Sequence, residues 1–381
     1  MSCLEKLIAD LCPDGVEYRK IGEVVSYEQP TKYIVTSTDY DDTFPTPVLT
    51  PGKTFILGYT DETDGIYFAE KDEPVIIFDD FTGAFKWVDF PFKVKSSAMK
   101  MLKADETVTT LRYIYHVMGF INYSPSDHKR LWISTYSEFL IPLPPLPVQR
   151  EIVRLLDIFT DLTAELSAEL DARKKQNEYY RAELLRADVL RVSLKDLALR
   201  SYTGVTPLKS KPEFYDNGSI PWLRTQEVVF NEIWQTQCFI TEEAVKKTSA
   251  KWVPANCVVV AISGATAGRC AINKIPLTTN QHCLCIDIDG NKALYKYVYY
   301  CVCNQHNELL AKKDGARGDL NVSKILSLKI PLPSIDVQER IVSILNRFEK
   351  LCNEISAEIE AREKQYEYYR NILFTILERN T

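Results

Sequence analysis

No run of apolar residues in this chain of 381 residues approaches the length needed to cross a bilayer, ~20 residues for a helix. The N-terminal Met-Ser-Cys-Leu-Glu-Lys lacks the basic-then-apolar layout of a secretory signal. The expectation is a cytoplasmic protein with no membrane partner. Signatures of catalysis are missing as well: there is no GxSxG elbow, no HExxH, no Walker A and no GxGxxG. The Asn/Asp-Pro-Pro-Tyr/Phe tetrapeptide of amino-methyltransferases is absent too. Asp79 and Asp80, adjacent at the end of an apolar run, could hold Mg²⁺, but Lys86 falls too far along to complete a nuclease pattern. The chain is therefore expected not to be an enzyme. Ten cysteines accompany only four histidines and form no CxxC pair, only the CxC pairs Cys283/Cys285 and Cys301/Cys303. A metal site needs about four ligands at suitable spacing, so buried reduced thiols and no metal are expected.

What is present is globular in balance, with 45% hydrophobic and 26% charged residues. The length exceeds one ordinary core, so two or more domains are expected. The net charge of −6 is unevenly spread. Residues 1–146 carry 14 Lys/Arg against 22 Asp/Glu, whereas residues 188–335 carry 18 against 13. A basic second segment suits a polyanion; the acidic first one must concentrate positive charge locally to bind the same partner.

The strongest signal is an internal repeat. Residues 141–185 open with IPLPPLPVQREIVRLLDIF and residues 330–374 with IPLPSIDVQERIVSILNRF; they align without a gap at a separation of 189 residues. Prolines cluster before each copy and are absent within, which predicts two long helices. Asp336 followed by Glu339 resembles a capping box. Val148, Ile152, Leu155, Phe159, Leu162 and Leu166 alternate in steps of four and three, as do Val337, Ile341, Ile344, Phe348, Leu351 and Ile355. That period predicts a coiled-coil seam, continued by the polar and aromatic Arg173, Gln176 and Tyr180 and by Arg362, Gln365 and Tyr369. Helical hairpins, a homodimeric zipper and intramolecular pairing all remain compatible, with two near-identical helices in one chain favouring the last.

The order is thus globular domain, helix, globular domain, helix, with boundaries expected at 1–146, 147–187, 188–335 and 336–381. The globular parts read as mixed α/β with many short strands. PVIIF (74–78) and CVVVAI (257–262) predict buried strands leading into the loops 78–87 and 263–272. Gly264 and Gly268 bracket a polar turn ending in Arg269, compatible with a phosphate cradle or a plain turn. EYRKIGEV (17–24) and RVSLKDLA (191–198) each suggest a strand leading into a helical turn.

Two variable domains, each followed by IPLPxxxVQ and later EYYR, resemble the specificity subunit of type I restriction–modification systems over essentially the whole chain. TPLKSKPEFYDNGSIPWLR (206–224) and TTNQHC (278–283) are similar to pieces of that family's target-recognition domains. The resemblance implies an α+β chain with two mixed α/β target-recognition domains, held apart by an intramolecular antiparallel coiled coil with pseudo-two-fold symmetry. Each domain would read half of a split site in double-stranded DNA. Two modification subunits using S-adenosylmethionine would methylate adenine at N6, and ATP-driven restriction subunits would cut; this chain itself would carry no cofactor. Tyr179, Tyr180, Arg181, Tyr368, Tyr369 and Arg370 would dock the modification subunits or simply close the coiled coil.

Arg paired with guanine and Asn or Gln with adenine are the usual base-reading pairs. In the second domain the DNA-contact candidates are Thr206, Lys209, Lys211, Arg224, Gln226, Arg269, Asn280, Gln281, His282 and Arg317. In the first they are Lys32, Tyr33, Thr82, Lys86, Lys95, His128, Lys129 and Arg130, with Lys32 in a QPTKY loop corresponding to TPLKSK. The competing readings are a coiled-coil scaffold whose heads bind proteins, favoured by the acidic first domain, and a recognition fragment detached from a single-chain enzyme.

Overall fold

A computed structural model describes residues 3–50, 54–123, 125, 129–186, 189–311 and 320–379. The candidates His128 and Arg317 lie outside the described residues. The chain divides into two compact units, residues 1–167 with 357–381 and residues 168–356.

The first unit begins with α1 (Cys3–Leu11), β1 (Tyr18–Lys20), α2 (Ile21–Val24) and β2 (Val25–Glu28). There follow β3 (Thr46–Leu49), β4 (Ile56–Thr60), β5 (Val75–Asp79), β6 (Phe85–Val88), β7 (Lys93–Val94) and β8 (Met99–Ala104). Then come α3 (Leu111–Ile121), α4 (Leu131–Ser134), β9 (Leu140–Pro142) and the 39-residue α5 (Leu146–Leu184). The strands form a four-stranded sheet, β2-β8-β5-β6, a three-stranded sheet, β4-β3-β7, and the pair β1-β9. The β-branched run of β5 is buried along its length, as a central strand covered on both faces requires. Thr110 caps α3 by accepting from the Tyr113 N–H at 3.2 Å, and Asn122 ends it in the left-handed region at φ 44°.

The second unit repeats this plan with β10 (Arg191–Ser193), α6 (Leu194–Leu197), β11 (Ala198–Thr203), β12 (Ile220–Leu223), β13 (Asn231–Ile233), β14 (Phe239–Ile240) and α7 (Glu242–Lys247). Next are β15 (Val258–Ala261), β16 (Cys270–Asn273), β17 (Thr278–Thr279), β18 (Cys283–Ile288), α8 (Tyr295–Asn304), α9 (His306–Ala311), α10 (Val322–Leu326), β19 (Lys329–Pro331) and the 45-residue α11 (Ile335–Arg379). Its sheets run β11-β18-β15-β16-β13, β14-β12-β17 and β10-β19.

The repeated IPLPxxxVQ motif is a hydrogen-bonded staple. Proline cannot donate from its backbone, but its carbonyl still needs a partner when buried. In the first unit the Tyr113 hydroxyl donates to the Pro142 carbonyl at 2.8 Å, and Gln149 Nε2 donates to Pro144 at 2.8 Å and Val108 at 3.0 Å. Gln149 Oε1 in turn accepts from the Thr109 hydroxyl at 2.9 Å. In the second unit Tyr297 donates to Pro331 at 2.9 Å, Gln338 Nε2 donates to Pro333 at 2.9 Å, and Gln338 Oε1 accepts from the Leu294 N–H at 2.9 Å. Both glutamines are fully buried.

The long helices run antiparallel to each other in each unit. In the first, Phe159 of α5 stacks on Tyr369 of α11 at 5.2 Å, and Ile152 and Leu156 share a core with Phe374 and Leu377. In the second, Tyr180 stacks on Phe348 at 5.5 Å, and Leu185 shares a core with Ile341 and Leu345. Polar links recur at the seam: Arg173 donates to Glu169 and Gln176 at 3.0 Å each, and Arg362 to Glu358 at 2.7 Å and Gln365 at 2.8 Å.

Two expectations need correction. Val337 and Ile344 are exposed, at 40% and 39%, and the buried stripe at the start of α11 is Gln338, Ile341 and Leu345. The first turns of α11 face the core of their own unit, which rotates the buried stripe relative to the 3.5-residue seam. Asp336 lies inside the first turn and does not cap the helix, because α11 starts at Ile335 and the Ser334 carbonyl accepts from Val337 and Gln338.

A buried polar chain joins α3 to both long helices in the first unit. His116 Nε2 meets Asp157 Oδ1 at 2.8 Å, His116 Nδ1 meets the Tyr366 hydroxyl at 2.8 Å, and Arg112 Nε donates to Asp157 at 2.7 Å. In the second unit the Tyr300 hydroxyl stands at the matching place, 2.7 Å from both Asn346 Oδ1 and Glu349 Oε2. Burial pushes the Glu349 carboxyl above its usual range.

Two outcomes are expected. Gln149→Ala strands several buried groups that each cost about 1–3 kcal/mol, so unfolding in urea should show a loss of roughly 2–4 kcal/mol. Arg150→Ala, on the exposed side, should stay within about 0.5 kcal/mol; equal midpoints for the two variants would remove the staple from the account. Burial, opposed by Asp157, holds the His116 ring below its ordinary value. The unfolded chain takes up this proton near pH 6.5 and the folded one only at lower pH. The associated stability is therefore complete above pH ~6.5 and declines as pH falls toward the folded-state value, by at most ~1.4 kcal/mol per pH unit. His116→Gln should flatten the difference in unfolding free energy between pH 7.5 and 5.5, and an unchanged difference would show that another group governs it.

Candidate nucleic-acid interface

In the second unit β11, β12, β15 and β17 all end, and β18 begins, at one edge of the structure. This follows from their pairing: β12 and β17 are parallel, and β11 and β15 both run antiparallel to β18. Backbone hydrogen bonds tie the emerging loops together. Asn280 N donates to Leu223 O at 3.1 Å, Gly204 N to Asn280 O at 3.3 Å, Val205 N to Thr279 O at 2.9 Å and Ile262 N to His282 O at 2.8 Å. Leu320 N donates to Ile262 O at 2.8 Å, and the Thr266 hydroxyl to Thr225 O at 2.8 Å. Gly204 makes the closest approach: a Cβ there would lie 1.7 Å from the Thr279 carbonyl oxygen, so only glycine lets these two segments touch.

This edge brings together Thr206, Arg224, Gln226, Arg269, Asn280, Gln281 and His282, with Lys209 and Lys211 exposed farther along the Thr206 loop. Arg224 is held in place: its Nη2 donates to Gln237 Oε1 at 3.3 Å, and the buried Glu227 lies 3.8 Å from its Nε. Gln226 is exposed. Asn280 is buried and its amide oxygen accepts from the His282 N–H at 3.0 Å, so it shapes the turn that presents its neighbours. The Thr206 hydroxyl donates to Gln281 Oε1 at 2.7 Å, and Gln281 Nε2 meets His282 Nε2 at 3.1 Å. The segment 263–269 is a turn with Gly264 and Gly268 at positive φ, leading into β16.

The first unit builds the same edge from β2, β3, β5, β7 and the start of β8. Lys95 N donates to Leu49 O at 2.8 Å, Asp80 N to Ala98 O at 3.0 Å and Leu131 N to Asp80 O at 2.8 Å. Lys32, Tyr33, Thr82, Lys95, Lys129 and Arg130 fall in or beside these loops, and Lys86 sits in β6, two residues in from the turn. Several of these side chains are already engaged. Lys32 pairs with Glu28 at 2.7 Å, Tyr33 donates to Glu28 at 3.1 Å, and Lys95 donates to the Tyr40 hydroxyl at 3.2 Å. The hydrogen bond from Lys32 is the main reason the Glu28 carboxyl sits below its usual range. Asp79 accepts from the Thr82 hydroxyl at 2.6 Å and from the Phe81 N–H at 2.9 Å. Asp80 pairs with the buried Lys100 at 3.3 Å and accepts from the Trp132 N–H at 2.9 Å. The two aspartates weighed as Mg²⁺ ligands thus hold a turn and a core lysine.

Sequence reasoning missed Glu28, Glu227 and Gly204. Glu227, three residues after Arg224, carried a weak local signal, but Gly204 gave none because the carbonyl it meets is 75 residues away in sequence. On the long helices, the first tyrosine of each Tyr-Tyr-Arg is largely exposed, Tyr179 at 63% and Tyr368 at 62%, whereas Tyr180 and Tyr369 form the stacks described above. Arg181 and Arg370 each keep a buried Nε without a hydrogen-bond partner among the described residues. Arg370 lies over the Tyr366 ring at 5.1 Å and lines a cavity of about 430 Å³ with Glu367, Asn371 and Gly119.

Comparison with known proteins gives this arrangement its context. The family model described as the type I restriction modification DNA specificity domain matches twice, over residues 13–173 and 188–362. The EcoR124I/EcoR124II specificity subunit of Escherichia coli is 47% identical, covering 98% of this chain and 97% of that one. A putative type I restriction enzyme specificity subunit of Haemophilus influenzae is 28% identical, covering 84% of each. Among solved structures, the type I restriction–modification S subunit from M. genitalium shares the fold at TM-score 0.59 and 13% identity, covering 94% of this chain and 96% of that one. Two family domains, the paired helices that follow them and the near-full-length relative agree: the chain belongs to the type I restriction–modification DNA specificity family.

Proposed function

We propose that each unit reads one half of a split site in double-stranded DNA through its loop edge, and that the chain directs partner subunits to that site. The observation that carries this is the convergence, in each unit, of loops from non-adjacent strands onto one edge through matching backbone hydrogen bonds. Loops fixed by a rigid scaffold are where recognition residues change without cost to the core. Lys32, Tyr33, Thr82, Lys86, Lys95, His128, Lys129 and Arg130 form the proposed contact set of the first half-site. Thr206, Lys209, Lys211, Arg224, Gln226, Arg269, Asn280, Gln281, His282 and Arg317 form that of the second, with Asn280 acting through the turn it holds.

The partners are two modification subunits, which bind S-adenosylmethionine and methylate adenine at N6, and ATP-dependent restriction subunits; the chain itself holds no cofactor. Tyr179 and Tyr368 offer exposed aromatic surface for docking, with Tyr180, Arg181, Tyr369 and Arg370 beside them. An approximate two-fold relation between the halves is supported by the recurrence of the proline–glutamine staple and of the tyrosine–phenylalanine stack.

Single-molecule sequencing of DNA from cells expressing this chain with its modification subunit should reveal methyladenine at one split motif, absent without the chain. No new methylation from a verified complex would turn the reading toward a protein-binding scaffold. Replacing Arg224 and Gln226 together should alter only the second half of the motif, whereas Lys209→Ala should weaken binding to all sequences alike.

A further inference from the structure

We propose that Gln281 is a pre-set adenine reader in the second half-site, and that Thr206 and His282 are the positioning residues that set it. The inference rests on the DNA-reading function proposed above and adds which side chain reads which base. A glutamine amide has two acceptor positions on its oxygen and two N–H donors on its nitrogen. The Thr206 hydroxyl occupies one acceptor position at 2.7 Å, and the His282 ring occupies one donor at 3.1 Å. An amide nitrogen cannot accept, so in this pair Gln281 Nε2 donates and His282 Nε2 accepts. One acceptor position and one N–H remain on an exposed side chain.

That remainder matches the major-groove edge of adenine, which offers one acceptor at N7 and one donor at its amine. Guanine offers two acceptors there and needs two N–H groups, of which Gln281 has one left. Cytosine offers only a donor, and thymine an acceptor beside a methyl group. The amide is also oriented before DNA arrives, so the rotamer entropy that an unheld glutamine such as Gln226 loses on binding is largely lost already on folding. The orientation reaches deep into the fold. Gly204 allows segment 204–206 to lie against 279–281, and the buried Asn280 fixes the turn by accepting from the His282 N–H at 3.0 Å.

The test uses the chain assembled with its modification subunits and a library of duplexes carrying all four bases at each position of the second half-site. The readout is methylation and binding at each position. The native complex should require adenine at one position besides the base that is methylated. Gln281→Ala should lose roughly tenfold to a hundredfold of that discrimination, the range of a bidentate pair, with every other position unchanged. Gln281→Glu keeps the acceptors and loses the donor, so its preference at that position should move toward cytosine. Thr206→Val, which replaces the hydroxyl with a methyl of similar size, should keep adenine as the preferred base but with weaker discrimination. The first half-site, read in a second library that varies its own positions, reports that each variant is folded and assembled.

Survival of that second adenine requirement in Gln281→Ala would overturn the proposal, as would an equal loss of affinity for every sequence, which marks a phosphate contact. In both cases the reading of DNA by this edge would stand. A native complex that methylates and binds no split motif would overturn that reading and the inference together.

Discussion

The fold depends on how two proline carbonyls in each unit, buried or partly buried, find donors. A Pro-x-Pro segment contributes few N–H groups of its own, yet its carbonyls, once taken out of water, demand partners as strongly as any other. One partner comes from the globular part, Tyr113 or Tyr297, and the other from the long helix, Gln149 or Gln338. The staple therefore forms only when strand, globular helix and long helix meet in one arrangement. A buried polar network that is fully satisfied fixes geometry more sharply than apolar packing, which tolerates sliding. This gives a physical reason for IPLPxxxVQ to recur in two halves whose globular parts otherwise differ widely.

Fixing the junction leaves the opposite edge free to vary. The loops there are linked to one another by backbone hydrogen bonds, which do not depend on side-chain identity. Side chains such as Gln226, Lys209 or Arg130 can be replaced without touching the core, whereas Gly204 cannot. The molecule thus separates the groups that define its frame from those available for recognition.

How much of this was legible in the sequence depended on the range of the interaction. The repeat announced two helices because proline exclusion and apolar spacing are local. The same pattern placed Val337 and Ile344 in the seam, where they are exposed, since periodicity does not say which neighbour a helix turn faces. Gln149 and Gln338 were visible as repeated letters, but their role required knowing that proline carbonyls lay within reach. The loop candidates Lys32 and Thr206 were legible from their matching places in the two halves. The carboxylates that restrain some of them were scarcely so: Glu28 holds Lys32 and Glu227 holds Arg224, and acidic residues draw little notice in a search for DNA contacts.

Charge is the last constraint, and it separates the two units. In the first, Lys93 and Lys100 are buried against Glu62 and Asp80, and Lys32 is paired with Glu28, so much of its positive charge is balanced within the protein. Cations already paired release few counterions from DNA, and the salt dependence of binding counts those releases. On the proposed function, the first half-site should be read chiefly by hydrogen bonding and shape. Lys209 and Lys211, exposed on the basic second unit, should account for more of the salt dependence. Each phosphate contact contributes a slope of about one, so neutralising these two lysines should flatten the dependence of affinity on salt by up to about two. Removing Lys32 should leave it nearly unchanged. If instead the Lys32 variant flattened it as strongly, its pairing with Glu28 would have to break on DNA, and the acidic unit would be holding its cations in reserve.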